Sequence, residues 1–114
     1  MRANAGFDDG CLKIVGMFAP HGLRIEGEAD VVRHDVLAAH LRAACAGRAE
    51  VHLDLADLAF MDFKALNVLG DQARAVSPGT TIVLDNLPRH LELVLDELGW
   101  HRFPGLTRGH DSRS

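Results

Sequence analysis

Three aspartates in the middle of the chain have the residue type and spacing that could support chemistry. Asp54, Asp57 and Asp62 all fall within "LDLADLAFMD". A carboxylate at the end of a strand can bind Mg²⁺, and Asp54 could then accept a phosphoryl group. Such chemistry also needs an acidic pair after the first strand and a later lysine, but the first strand ends in "IVGMFAP" and no lysine follows Lys64. We therefore disfavour phosphoryl transfer, since turn and helix-capping roles explain Asp57 and Asp62 equally well.

Metal, nucleophile and phosphate-loop chemistry lack a supporting pattern as well. Cys11 and Cys45 do not form a CxxC pair, and the seven histidines are scattered along the chain. His34 and His40 lie six residues apart, so they do not share a helix face as an i, i+4 pair of zinc ligands would. We find no glycine-rich phosphate loop and no Ser/His/Asp or Cys/His motif with a usable context. The sequence therefore predicts no metal, no cofactor and no catalytic residue, so we expect a protein that is not an enzyme.

Length and composition restrict the class of protein. A chain of 114 residues suits one domain, and 47% hydrophobic residues can fill one core. The net charge of -4 gives no basic surface, which disfavours a nucleic-acid partner. No apolar run approaches the ~20 residues that span a bilayer, and the first ten residues lack a signal-peptide core. We therefore expect no membrane partner and a cytoplasmic protein with reduced cysteines, with Cys45 on an apolar helix face.

Apolar periodicity predicts the elements that position these residues. Strands are predicted at residues 11–18, 23–30, 51–55 and 81–86. Helices follow the last three of these strands, because apolar residues recur at helical spacing around Leu41, Leu69 and Leu95. Asp30 is expected to cap the first helix, and Pro88 fits the first turn of the third.

The order β-β-α-β-α-β-α predicts an α/β fold. Two β-α-β crossovers imply parallel strand pairs, and the initial hairpin implies an antiparallel pair. We expect a mixed sheet of four to five strands, with about three to four helices packed on it. Residues 10–106 would form the single domain, preceded by a loose lead-in at residues 1–9 and followed by a frayed tail at residues 107–114.

Four segments, taken in order, resemble the STAS domain family. They are "GEAD", "VHLDLADLAFMD", "TIVLDN" and "LPRHLELVLDELGW", and the likeness runs from about Leu12 to Leu106. Bacterial anti-sigma factor antagonists are the small stand-alone members of this family. The resemblance implies transcription regulation by binding rather than catalysis, with an anti-sigma factor of serine-kinase fold as the partner. It also implies that this kinase switches the antagonist off by phosphorylating a serine directly after the aspartate that matches Asp62.

The chain departs from the family at that switch. Phe63 occupies the acceptor position, Lys64 follows it, and Ala65 replaces the usual glycine. The nearest hydroxyl is on Ser77, roughly 20 Å further along a helix at 1.5 Å per residue. We therefore expect no phosphorylation at this position, and hence a constitutive antagonist, a scaffold subunit or a decoy.

The resemblance and the pattern together predict a partner-binding surface rather than an active site. Two interpretations of Phe63 stay open, since it could plug the margin of the core or anchor a partner. Asp62 could cap a helix, contact a partner, or do both. The alternative function is a ligand-sensing or scaffold STAS domain within a larger signalling assembly, and the expected oligomeric state is a monomer or weak dimer. The residues expected at the partner-binding surface are Glu28, Asp30, Val31, Asp62, Phe63, Lys64 and Ala65.

Overall fold

Seven strands form one mixed sheet in the computed structural model, which describes residues 6–111 apart from the side chain of Val31. Three α-helices pack on this sheet, and short 3₁₀ turns precede the first helix and follow the third. The expected mixed α/β fold is confirmed, with more strands than the four to five predicted. The strands are β1 Phe7–Asp8, β2 Leu12–Phe18, β3 His21–Ala29, β4 Glu50–Asp54, β5 Leu58–Met61, β6 Thr81–Asp85 and β7 Leu106–Arg108; the helices are α1 His34–Cys45, α2 Phe63–Val76 and α3 Arg89–Leu98.

Strand β3 is the centre of the topology. It pairs antiparallel with β2, as predicted for the initial hairpin, and parallel with both β4 and β5. The residues between β4 and β5 form a short turn. As a result β4 and β5, which are consecutive in the chain, both pair with β3. The other parallel pairs join β4 to β6 and β6 to β7, while β1 adds an antiparallel edge to β2. The carboxyl ends of β3 and β5 therefore leave the sheet side by side.

The core lies between the helices and one face of the sheet. Leu23, Leu53 and Leu84 are direct neighbours across β3, β4 and β6, and all three are buried. Each helix adds its apolar stripe to the same cluster. Burying a leucine side chain contributes about 1.5–3 kcal/mol, so these rows dominate stability. Cys45 is buried on the α1 stripe as expected, Cys11 is exposed, and both are free thiols.

Two predicted boundaries need correction. The N-terminal lead-in contains β1, which pairs with Lys13 and Ile14, and the predicted tail begins inside β7, which starts at Leu106 and pairs with β6. Strands of two and three residues are too short to show an alternating pattern in the sequence. In the structure, the burial of Leu106 holds β7 against the core. Residues 1–5 and 112–114 of the predicted lead-in and tail lie outside the described residues.

The helices are short. The longest, α2, has 14 residues, fewer than the ~20 that the hydrocarbon core of a bilayer requires. Within residues 6–111, no helix is long and apolar enough to cross a membrane.

A buried carboxylate fastens the end of the chain to the sheet. Asp85, at the end of β6, is only 2% exposed. Its Oδ2 lies 2.7 Å from His52 Nδ1, and its Oδ1 accepts a hydrogen bond from the backbone amide of His110 at 3.1 Å. The ring of His110 also lies 3.1 Å from Oδ1, and His52 Nε2 contacts Glu50 at 2.5 Å. Although burial disfavours the imidazolium, the hydrogen bonds to Asp85 and Glu50 outweigh that effect and raise the pKa of His52.

This arrangement predicts a pH-dependent contribution of His52 to stability. Because the folded-state pKa lies above the ordinary value of 6.5, the contribution is complete below pH 6.5 and is lost as the pH rises through the folded-state pKa. The difference in unfolding free energy between the native chain and His52→Gln should therefore shrink from pH 6 to pH 9, as measured by urea denaturation. His101→Gln, at an exposed position, is the control. A difference that stays constant with pH would contradict the prediction.

Candidate functional site

The turn from β5 into α2, which we call the elbow, is organised by Asp62. Its backbone is extended, and its Oδ1 accepts a hydrogen bond from the Ala65 amide at 2.7 Å. This is the N-cap geometry expected from the sequence, in which the side chain satisfies an amide that the helix leaves unpaired. The Asp62 amide also donates to the carbonyl of Ala29 at 3.1 Å. The elbow is thereby joined to the end of β3 as well as to α2.

Asp62 also contacts the first residue of α1. His34 Nε2 lies 3.1 Å from the Asp62 Oδ1 that caps α2. Partial burial opposes ionisation of Asp62, but the Ala65 amide, the His34 ring and the nearby charge of Lys64 outweigh it and lower the pKa of Asp62. The lowered pKa favours the charged form of the carboxylate, and its Oδ1 is used within the protein.

The end of β3 brings the second predicted segment beside the elbow. Ala29 pairs with Met61, and the exposed Glu28 pairs with Phe60 across the two parallel strands. The register shifts between Gly27 and Glu28, where Gly27 adopts φ +89°. A Cβ at this glycine would lie 2.0 Å from the Cys11 carbonyl oxygen, so the irregularity requires glycine. The shift directs Glu28 outward beside the elbow.

Asp30 differs from its expected role as a helix cap. It precedes the 3₁₀ turn Val31–Arg33, but its side chain makes no capping hydrogen bond. Instead its Oδ1 accepts from the Arg33 guanidinium at 2.6 Å, and Arg33 also donates to Asp9 at 2.7 Å. The Leu12 and Cys11 amides, together with Arg33, lower the pKa of Asp9 to about 2. Asp30 therefore belongs to an ion cluster that fixes the entry to α1, while the side chain of Val31 lies outside the described structure.

Phe63 and Lys64 are the accessible residues of the elbow. Phe63 is 55% exposed, so it does not plug the core margin; its ring lines a shallow apolar groove with Leu93, Val94 and Leu98 of α3. Lys64 is exposed, as its helical position predicts. Ala65 is fully buried, so we correct its assignment: its side chain supports the helix and cannot contact a partner.

Sequence reasoning missed three neighbours of this site. Phe60 is 46% exposed and stacks on His90 with ring centroids 6.3 Å apart and an interplanar angle of 6°. The spacing of the histidines tests His34 only as a metal ligand, although its partner is Asp62. An exposed phenylalanine in a short strand is a weak signal, and no local spacing links His34 to a residue 28 positions away. We define the elbow surface as Glu28, Asp30, Phe60, Asp62, Phe63 and Lys64.

The elbow surface exposes both aromatic and charged groups. Its exposed groups are two aromatic rings, one ammonium and one carboxylate that makes no ion pair with a described residue, Glu28. The remaining carboxylates, on Asp30 and Asp62, are engaged by Arg33 and by the helix. In the described part of the chain, no three His, Cys, Asp or Glu side chains are grouped so that they could hold a metal ion. An aromatic surface with a charged rim is typical of a protein-binding site.

Comparison with known proteins identifies the fold family of this scaffold. A family model described as "Mlab, STAS domain" matches residues 15–108, which is most of the chain. The matched region includes the whole elbow surface. A search of curated proteins found no significant match.

The cap at the elbow predicts a specific cost of removing Asp62. Asp62→Ala should lower the unfolding free energy at pH 7 by about 1 kcal/mol, because α2 loses its N-cap acceptor. Since the pKa of Asp62 is lowered by folding, this contribution should be lost as the pH falls below its ordinary value of 3.8. Urea denaturation between pH 7 and pH 3 measures both effects.

Asp71→Ala provides the matched control for this measurement. Asp71 lies on the same helix and forms an exposed i, i+3 pair with Arg74, with side chains 75% and 50% exposed. Its removal should change the unfolding free energy by less than about 0.5 kcal/mol. Equal losses in the two variants would contradict the capping role of Asp62.

Proposed function

Because this chain belongs to the STAS domain family, we propose that it is a non-catalytic module that captures a protein partner through the elbow surface. Family membership by itself makes it a signalling or binding domain. The more specific proposal is an anti-sigma factor antagonist, whose partner is an anti-sigma factor with a serine-kinase fold. Capture of that partner would release a sigma factor and thereby regulate transcription.

The exposure of Phe63 is the observation that carries this proposal. A phenylalanine with 55% of its surface exposed, at the first position of a helix, gains little from the fold of its own chain. Exposed aromatic residues at the centre of an interface can contribute ~2 kcal/mol or more to binding. Phe63 lines the apolar groove on α3 and the exposed, charged Lys64 follows it directly, so the proposed apolar anchor has a polar neighbour.

The proposed antagonist lacks a phosphorylation switch. No serine or threonine precedes Ser77, which follows the last residue of α2. Fourteen steps from Phe63, at 1.5 Å per residue, carry Ser77 roughly 20 Å from the elbow. A phosphate on that residue would not meet a partner seated on Phe63, so partner capture in this proposal is constitutive.

The proposal also assigns the protein to the cytoplasm, where anti-sigma factors act. Exposed Cys11 and buried Cys45 are free thiols, which suits a reducing compartment. The binding species in this proposal is a monomer or a weak dimer. A scaffold subunit of a larger signalling assembly is the alternative, and it would use the same surface.

Replacing the exposed phenylalanine should weaken the complex without unfolding the domain. Phe63→Ala is expected to raise the Kd for the anti-sigma factor kinase about 30-fold, the equivalent of ~2 kcal/mol. The melting temperature should change little, because more than half of the side chain is in solvent. Isothermal titration calorimetry measures the Kd, and calorimetric melting measures the fold.

Phe18→Ala is the matched control, since Phe18 is 75% exposed at the turn between β2 and β3. Its Kd should equal that of the native chain. If Phe63→Ala lowers the melting temperature by several degrees and leaves the Kd unchanged, Phe63 serves packing and the anchor proposal is wrong.

Restoring a hydroxyl should restore the switch. After incubation with the kinase and Mg-ATP, the native chain should carry no phosphate at the elbow, whereas Phe63→Ser should become phosphorylated at that position and lose affinity. The added charge of -1.5 to -2 would stand beside the Asp62 carboxylate and in place of the apolar anchor. Mass spectrometry and repeated titration measure the two effects.

Lys64→Ser tests whether position 63 itself matters, because it places the same hydroxyl one residue further into the helix. It should remain unmodified. Phosphorylation of the native chain accompanied by loss of partner binding would overturn the claim of constitutive capture.

A further inference from the structure

A second concave site lies at the end of the domain opposite the elbow. It is a half-open cavity of about 160 Å³ between the β2–β3 hairpin and the last turns of α1. His21, which lines it, begins β3, whereas the elbow lies beside Ala29 at the end of that strand. At ~3.3 Å per residue the two sites are about 25 Å apart. The cavity is therefore independent of the elbow surface.

The body of the cavity is apolar. Ile14, Met17 and Leu23 line it from the hairpin, and Ala43 and Ala44 line it from α1. An apolar protein cavity of about 150 Å³ stays dry and accepts one benzene molecule. The cavity is therefore of the right size for a single aromatic ring or a short branched alkyl group.

Two histidines on the cavity wall are oriented by α1. His21 Nε2 lies 2.8 Å from the Ala44 carbonyl oxygen, and His40 Nδ1 lies 3.0 Å from that of Val36. A carbonyl oxygen only accepts, so each of these nitrogens carries a proton and donates it. These hydrogen bonds fix the orientation of both rings.

A guanidinium completes the lining. Arg48 is exposed and lines the cavity, so it stands at the open side. Arg24 and Arg33 face carboxylates, whereas Arg48, like Arg42 of α1, forms no ion pair with any residue from 6 to 111; of these two unpaired arginines, Arg48 is the one that lines the cavity. An unpaired guanidinium beside an apolar cavity favours a ligand whose carboxylate can form the two parallel hydrogen bonds that arginine offers.

We infer that this cavity binds a small organic monoanion, made of one aromatic ring or short branched alkyl group that carries a carboxylate. The apolar group fills the space between the hairpin and α1, and the carboxylate pairs with Arg48. This site operates whether or not the elbow binds an anti-sigma factor, because no residue is shared between them.

Phenylacetate, whose carboxylate is ionised at pH 8, is a suitable probe and is titrated into the ¹⁵N-labelled full chain at that pH. Amide shifts should concentrate at Gly16, Phe18, Leu23 and Ala44 and leave the elbow unchanged. Phenylacetamide has the same shape without the charge. It should bind about tenfold more weakly, as expected for loss of a charge-assisted hydrogen bond.

Two pairs of variants locate the site. Ala43→Leu should abolish binding by filling the cavity, while Ala39→Leu, at an exposed position of α1 outside the lining, should not. Arg48→Gln should weaken phenylacetate about tenfold and leave phenylacetamide unaffected, whereas Arg42→Gln should alter neither. Because leucine favours helices, the filling variant should fold, and its spectrum verifies this.

Three results would overturn the inference. The first is the absence of shifts up to about 10 mM phenylacetate, which corresponds to a negligible affinity. The second is unchanged binding in a folded Ala43→Leu variant. The third is equal affinity for phenylacetate and phenylacetamide, which would remove the role of Arg48.

Discussion

The hydrogen bonds of Asp62 hold together the three elements from which the elbow is built. One carboxylate oxygen caps α2 through Ala65 and also meets His34 at the start of α1, while the backbone amide is tied to Ala29 at the end of β3. A single residue thus fixes how two helices and a strand meet. The exposed groups around Asp62 are therefore carried by elements that these hydrogen bonds join.

The same junction divides the polar groups of the site into two classes. Asp30 and Asp62 are committed to internal partners, and the lowered pKa of Asp62 reflects the strength of that commitment. Glu28 and Lys64 face solvent and retain their capacity for external contacts. The positive charge of Lys64 lies at the N-terminus of α2, where the helix dipole is also positive, so its placement is unfavourable. The negative charge of the Asp62 carboxylate nearby offsets this effect. The charges that support the fold are therefore distinct from those that a partner can use.

Features encoded by local spacing could be predicted from the sequence, and features encoded by distant contacts could not. The cap at Asp62 and the buried stripe of α2 follow from helix periodicity, and both are confirmed. The pairs His34–Asp62, His52–Asp85 and Phe60–His90 join segments that only the folded sheet brings together. Strand β7 was missed for a similar reason, since three residues carry no period. Helical geometry alone places Phe63 at the margin of the apolar stripe of α2. The sequence therefore does not decide whether its side chain is exposed.

Phe63 lies between two residues that anchor the start of α2: the N-cap Asp62 and the buried Leu66. Asp62 begins the helix and Leu66 buries it, so the side chain between them is not required for folding. In the proposed function, residue 63 can therefore change between an apolar anchor and a hydroxyl acceptor without loss of the N-cap or of the buried stripe of α2. Control of partner binding in that proposal rests on this one position and not on the fold that displays it.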